Sequence, residues 1–234
     1  MAWLFTSAMN PATSMTAIAP DTTVRGVDST NNSDASVIPV EARATLDLFA
    51  SICDRAAEVV GANADWGASG LRSGQYAIDL DVDEVCVQPL LAAGFDVLSE
   101  ESGLQQQGGE LGRDVVVVDP LDGSTNASLG LPWCATALCL VSDGVPTVAM
   151  VSNLATSDRY TAVRDRGANR NGQPILVGPR SSLSESIIAV NGLPPAHWGW
   201  QQFRAMGAAA LDIAAVARGG FDGYVDTTTD SHGV

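Results

Sequence analysis

Between Glu41 and Val60 the apolar residues Ala44, Leu46, Leu48, Phe49, Ile52, Ala56 and Val59 recur at the spacing of one helix face. Gly61 marks the expected end of that helix. Ahead of it, residues 1–38 are rich in Ala, Ser, Thr, Asn and Asp without periodicity, which predicts a disordered tail. Gly67, Gly70 and Gly74 punctuate the next stretch, which reads as a loop or tight hairpin. Tyr76-Ala77-Ile78 reads as a short extended piece, and Asp79 to Ala93 as a second helix ended by Gly94. Its start carries Asp79, Asp81, Asp83 and Glu84, which suits the positive end of a helix dipole. Pro89 inside it is expected to kink or split it.

Beyond Gly94 the pattern changes to short apolar runs. Phe95 to Leu98 and Val115 to Val118 read as strands, the second a continuous apolar run of the kind a buried strand shows. Cys134 to Val141, Thr147 to Ser152 and Arg159 to Val163 follow, separated by turn signals such as Ser142-Asp143-Gly144. Residues 167–172 are expected to form a loop. Ser186 to Val190 is a further strand, Ala208 to Ala217 a small-residue helix ended by Gly219-Gly220, and Phe221 to Val225 a last strand. Strands clustered between helices give an α/β or α+β layered fold.

Composition narrows the function. The 234 residues carry a net charge of −15, and all twelve basic residues are Arg. Such a chain lacks the basic face that nucleic acid or anionic membranes require. An acidic protein that handles a phosphorylated substrate needs local positive charge, and a divalent metal supplies it. Cys53, Cys86, Cys134 and Cys139 form no Cys-x-x-Cys pair and sit among apolar residues, the pattern of buried free thiols. The first residues lack a basic n-region, and no apolar run reaches the ~18 residues of a membrane span. A cytoplasmic location is the expectation.

Two segments carry chemistry. In Val118-Asp119-Pro120-Leu121-Asp122-Gly123-Ser124-Thr125-Asn126 a buried strand runs into two carboxylates three positions apart and then into Gly-Ser-Thr. Pro120 is expected to turn the chain, aiming Asp119, Asp122 and the Leu121 carbonyl at one point. Oxygen ligands of this kind suit magnesium. Gly123 lets the backbone approach closely, and the amides of Gly123, Ser124 and Thr125 offer a phosphate site at a helix start. The same residues also read as a strand, a polar turn and a helix cap. In Val97-Leu98-Ser99-Glu100-Glu101-Ser102-Gly103, two adjacent carboxylates end a short strand and are costly to bury without a cation; a solvated surface turn is the plainer reading. Asp79-Leu80-Asp81-Val82-Asp83 superficially fits an aspartyl-nucleophile or calcium-loop pattern, but Glu84 and Leu90 stand where a calcium loop needs Gly and Glu.

Taken together, with Asp119 nineteen positions after Glu100, the two segments resemble the signature of the inositol monophosphatase family. Residues 167–174, Gly-Ala-Asn-Arg-Asn-Gly-Gln-Pro, look like that family's Gly-Ala-x-x-Asn-Gly turn. Gly207-Ala208-Ala209-Ala210-Leu211-Asp212 and the run Ala217 to Tyr224 look like its late helix and strand. The resemblance implies an α-β-α-β-α sandwich and a magnesium-dependent, lithium-sensitive phosphatase. Its substrate would be a small polyol or sugar phosphate, attacked in line by a metal-activated water. It implies two or three magnesium ions, with Glu100 on the first and a third, Asp119 bridging two, the Leu121 carbonyl on the first and Asp122 on the second. Glu101 would be an outer carboxylate, Ser124 would orient the water with Asp79 as its partner, and Asp226 would contact substrate hydroxyls. A homodimer is a possible assembly.

The resemblance places a Trp-Asp beyond Val234, so the second magnesium is expected to lack its C-terminal Asp; nothing in the sequence supports Asp230 as a substitute. The organisation expected is a tail over 1–38, a first subdomain with the metal and phosphate site over 39–180, and an incomplete second subdomain over 181–234. Ile187, Ile188, Val190, Phe221 and Val225 are then expected to be left open. The alternative is an impaired chain that binds metal or a partner without turnover.

Overall fold

A computed structural model describes residues 38–106, 108, 112–179 and 182–228. Two helices open the fold, α1 (Val40–Ala62) and α2 (Ala77–Ala92), packed on each other. The buried face of α1 is Ala42, Thr45, Phe49, Ile52, Cys53 and Ala56, a three-to-four-residue repeat. Gly61 does not end α1 but lies in its last turn, which closes where the Asn63 N–H reaches the Val60 carbonyl. The extended piece expected at Tyr76-Ala77-Ile78 is helical from Ala77 onward. The Asp79 carboxylate, at the third helical position, accepts the Tyr76 N–H (2.8 Å) and draws the helix start forward. Pro89 does not split α2, because it falls in the last turns and costs a single backbone bond.

An eight-stranded sheet follows, built from β1 (Asp96–Ser99), β2 (Gly103–Gln105), β3 (Asp114–Asp122), β4 (Ala135–Ser142), β5 (Val145–Asn153), β6 (Arg159–Val163), β7 (Gly167–Arg170) and β8 (Gln173–Pro174). Its order is β2-β1-β3-β4-β5-β6-β7-β8, antiparallel throughout except for the parallel pair β1 and β3. The loop expected at 167–172 is the β7–β8 hairpin, turned at Asn171 and Gly172, both with positive φ. One face of this sheet packs on α1 and α2 through Phe49, Ile52, Val82, Leu90, Val97, Val116, Val118 and Leu138. The run Val115 to Val118 is buried on that face alone; Val117 points the other way and is 39% exposed.

The short helix α3 (Ser124–Ser128) follows β3. A second, parallel sheet has β9 (Ile187–Asn191) between β10 (Gln202–Arg204) and β11 (Gly223–Asp226). Helix α4 (Ala209–Ala217) touches β11 on one side and β4 and β5 on the other, so it lies between the two sheets. Ile188 and Val190, expected to be open, are buried with Trp200 against Val225. His197 lies on the loop that leads into β10, and its ring packs near Trp200. The thiols of Cys53, Cys86 and Cys134 are free and buried, and Cys139 is half-buried. Among the described residues no helix is long and apolar enough to cross a membrane. His232 and Asp230 lie outside the described residues.

One side chain ties α3 to the segment ahead of α4. The buried Asn126 amide donates to the Trp133 carbonyl and to the Met206 carbonyl, each at 2.8 Å. Asn126→Ala leaves both part-buried acceptors without their donor and should lower unfolding free energy by roughly 1–3 kcal/mol. Chemical denaturation should show an earlier midpoint with an unchanged slope; an unshifted midpoint would show that the link carries no stability.

Candidate functional site

The site begins where β3 changes register. Its pairing with β4 runs regularly to Asp119↔Ala137 and resumes at Asp122↔Ala135, so three steps on β3 match two on β4. Pro120 does not turn the chain out of the sheet as expected. It lies in this bulge, where its missing N–H costs nothing, and its carbonyl accepts the buried Thr136 hydroxyl at 2.7 Å. The bulge places Asp119, Leu121 and Asp122 at the strand's end, with the Leu121 side chain buried. Asp119 and Asp122 keep some surface open, but their carboxyl groups lie among protein atoms.

Asp122 reaches across to α4. One of its oxygens accepts the Ala209 N–H (3.2 Å) and the other the Ala210 N–H (2.6 Å), so it caps a helix 87 residues away in the chain. Burial raises its pKa to about 6 against the pull of these two bonds, and Glu100 and Asp212 push it further up. Gly123, with φ +82°, would place a Cβ 2.9 Å from the Trp133 carbonyl oxygen and 3.0 Å from the Ala208 Cβ. Its small size is required by the packing of α3 against residues 207–208; that contact accounts for the close approach expected there. Ser124 is half-buried and Thr125 exposed on the five-residue α3.

Glu100 and Glu101 occupy the β1–β2 turn. The Glu100 N–H donates to the Val118 carbonyl (3.0 Å), extending the parallel β1–β3 ladder, and its carboxyl shares a hydrogen bond with Asp119. Burial raises the Asp119 pKa well above the usual carboxylate range, reinforced by Asp122 and Glu100. Asp79 approaches from the first turn of α2. One of its oxygens takes the Tyr76 N–H; the other, Oδ1, is buried with no hydrogen-bond partner. Burial lifts the Asp79 pKa to about 6, and repulsion from Glu101 and Glu100 adds to it.

The structure therefore brings Asp79, Glu100, Asp119 and Asp122 into one electrostatic neighbourhood. Asp226 stands apart at the end of β11, where Thr228, Asn191 and Tyr224 all donate to it. Burial pushes its pKa up, but those hydrogen bonds prevail and hold it below the usual range. Tyr224 connects it to the rest, since its phenol lies in the fields of Asp226, Asp212 and Asp122. The expected hydrogen bond between Ser124 and Asp79 is not made. Tyr224, Arg72, Gln75 and Asp212 were missed as site neighbours. Arg72 and Gln75 hydrogen-bond to Glu101, while the buried Asp212 accepts the Trp133 indole N–H at 3.0 Å and burial raises it to about 6. Asp212 stands in the late-helix pattern and Arg72 in the glycine-punctuated loop, but neither pattern names a partner.

Among the described residues no three His, Cys, Asp or Glu side chains form a ready-made metal cage. The donor set nevertheless suits a hard cation. It is all oxygen and mutually repulsive, and the orphaned Asp79 Oδ1 stands beside it. Asp122 spends two acceptor sites on α4, and a carboxylate has about four.

These carboxyls make a pH prediction for the protein free of divalent cations. Asp79, Asp122 and Asp212 bind protons more tightly folded than unfolded, so folding takes up protons above the unfolded carboxylate range. Their contribution to stability is fullest at low pH and is lost as pH rises through about 6. Asp143 and Asp158, held low by Arg113 and Arg170, stay ionised above pH 5 and do not offset this. In chelator the melting temperature should fall between pH 5 and pH 7, and saturating magnesium should flatten that slope. A rising melting temperature over the same window in chelator would contradict the assignment.

Comparison with known proteins agrees with this architecture. The inositol monophosphatase family profile matches residues 67–232. An inositol-1-monophosphatase of Rhizobium meliloti is 38% identical over 125 residues, 46% of this chain and 46% of the relative. Nus factor SuhB of Xylella fastidiosa is 32% identical over 169 residues, 64% of this chain and 60% of that one. A fructose-1,6-bisphosphatase/inositol-1-monophosphatase of Thermococcus kodakarensis is 31% identical over 154 residues, 64% and 58% of the two chains. The matched part of the chain thus spans about half to three-fifths of these relatives' length. The solved structure of the suppressor protein SuhB from Bartonella henselae superposes with a TM-score of 0.67 at 26% identity, covering 79% of each chain. The inositol monophosphatase from Anabaena gives 0.67 at 25% identity, covering 81% of this chain and 77% of that one. With the profile running from the loop before α2 to beyond β11, the chain belongs to the inositol monophosphatase family.

Proposed function

We propose that the protein is a magnesium-dependent phosphomonoester hydrolase acting on a small polyol or sugar phosphate. The observation that carries this reading is a set of mutually repelling, enclosed carboxylates, one with an unpartnered oxygen, in a chain of net charge −15. Such a cluster calls for a cation, and a phosphate ester needs the same cation to approach. Glu100, Asp119, Asp122 and the Leu121 carbonyl would hold magnesium, in two or three ions, with Asp119 shared. Bound magnesium supplies charge neutralisation at the phosphoryl oxygens and a water of lowered pKa.

The chain's own groups do the rest. Asp79 Oδ1, buried and unpartnered, is available to accept a hydrogen bond from the Ser124 hydroxyl, which would orient the attacking water. Amides of Gly123, Ser124 and Thr125 would receive phosphate oxygens. Asp226, held ionised by three donors, would take substrate hydroxyls. In this reading residues 39–180 form the subdomain carrying the site, and residues 181–234 belong to a second one. Inhibition by lithium, a cytoplasmic location and a homodimer belong to the same proposal.

A second reading rests on the name Nus factor SuhB carried by relatives at 30–32% identity. On it the chain binds cation and a partner without turnover. Phosphate release from inositol monophosphate and other phosphomonoesters, assayed on the full chain with magnesium, separates the two. On the hydrolase reading Asp119→Asn and Glu100→Gln should each abolish nearly all release, and Ser124→Ala should cost about 10²–10³-fold. Release at wild-type rate in Asp119→Asn would overturn the metal assignment; cation binding without release would favour the second reading.

A further inference from the structure

The fold treats its two adjacent glutamates differently. Glu100 extends the β1–β3 ladder through its N–H and shares a hydrogen bond with Asp119. The Glu101 side chain is 11% exposed, and one of its oxygens receives both the Arg72 guanidinium and the Gln75 amide. Its backbone N–H donates to the Ser99 hydroxyl (3.2 Å), which in turn donates to the buried Asp83. Arg72 spends its other terminal nitrogen on the Glu100 carbonyl at 3.2 Å. One guanidinium fork therefore grips the turn at both residues, a geometry that a lysine does not reproduce.

The loop that delivers Arg72 is itself fixed. The Ser69 N–H donates to the Gln75 carbonyl (2.9 Å), the Ser69 hydroxyl to the Gln75 side-chain oxygen (2.6 Å), and the Ala77 N–H to the Gly67 carbonyl (2.9 Å). It leads directly into the first turn of α2, where Asp79 stands. Asp79 feels Glu101, Glu100 and Arg72 together, and Asp119 feels Glu101 as well. Released from Arg72, Glu101 would be one more free carboxylate beside this cluster.

An extra carboxylate matters for which cation fits. Magnesium takes near-octahedral coordination, keeps several waters and needs few carboxylates. Calcium takes six to eight oxygens and accepts bidentate carboxylates. We propose that Arg72 is a positioning residue that, by pairing with Glu101, withholds that carboxylate from the cation site and so sets its preference for magnesium over calcium. The inference rests on the cation reading of the site given above.

Calorimetric titration of magnesium and of calcium into the full chain tests it, without reference to turnover. Arg72→Ala should lower the ratio of magnesium to calcium affinity by about 10–100-fold, the scale on which groups behind metal ligands act. Glu101→Gln should leave the ratio near wild type, and the double variant should return to it, because a glutamine brings no charge into the cluster. Arg72→Lys should fall between. A wild-type ratio in Arg72→Ala would overturn the proposal. So would a double variant as altered as Arg72→Ala alone, since Arg72 would then not act through Glu101. If Arg72→Ala melts below the assay temperature, Arg72→Gln replaces it with the same two outcomes. A wild-type chain that binds neither cation would overturn the metal reading itself and this inference with it.

Discussion

The cap that Asp122 places on α4 is the joint on which the rest of the structure depends. Its two hydrogen bonds, to the Ala209 and Ala210 amides, connect the end of β3 in the large sheet to the helix lying between the sheets. Gly123 makes the approach possible, and Asn126 reinforces it through the Trp133 and Met206 carbonyls. Three residues of one motif thus hold the two halves of the described fold together. The same motif presents Asp119 and Asp122, so the site and the joint are one object.

That economy has an electrostatic cost. Asp79, Glu100, Asp119 and Asp122 converge from α2, the β1–β2 turn and the β3 bulge, and burial together with mutual repulsion holds the aspartates toward their protonated forms. Only part of the charge is met within the protein. The α4 amides serve Asp122, and the Arg72 guanidinium serves Glu101. The unpartnered Asp79 oxygen marks where the compensation stops. A buried polar atom left without a partner costs free energy that the surrounding packing must supply, which is the usual sign of a position kept for something other than stability.

The second sheet contributes through Tyr224 more than through Asp226. Its phenol donates to Asp226 and feels the charges of Asp212 and Asp122, which couples β11 electrostatically to the α4 and β3 side. Asp226 is already engaged by Thr228, Asn191 and Tyr224, in contrast to the repelling carboxyls around Asp119.

Much of this was legible in the sequence, and for definite reasons. The helix over α1 follows from its apolar repeat, and β6 from its composition, because both are local properties of the chain. The family resemblance follows from the carboxylate spacing and the Gly-Ser-Thr that follows it, which are local as well. What the sequence missed was decided by contacts between distant residues. The start of α2 moved forward because Asp79 caps it, Pro120 stayed in the sheet because β4 accommodates a bulge, and β2 and β10 are three-residue strands fixed only by their neighbours. The close packing of Gly123 against Trp133 and Ala208 is likewise set by residues distant in the chain. Arg72, Asp212 and Tyr224 entered the site for the same reason. The sequence by itself determined which residue types and local periods were present, since these need only neighbouring positions. Only the tertiary structure decided which charges meet, because a hydrogen bond or a Coulomb interaction depends on distance in space and not on separation along the chain.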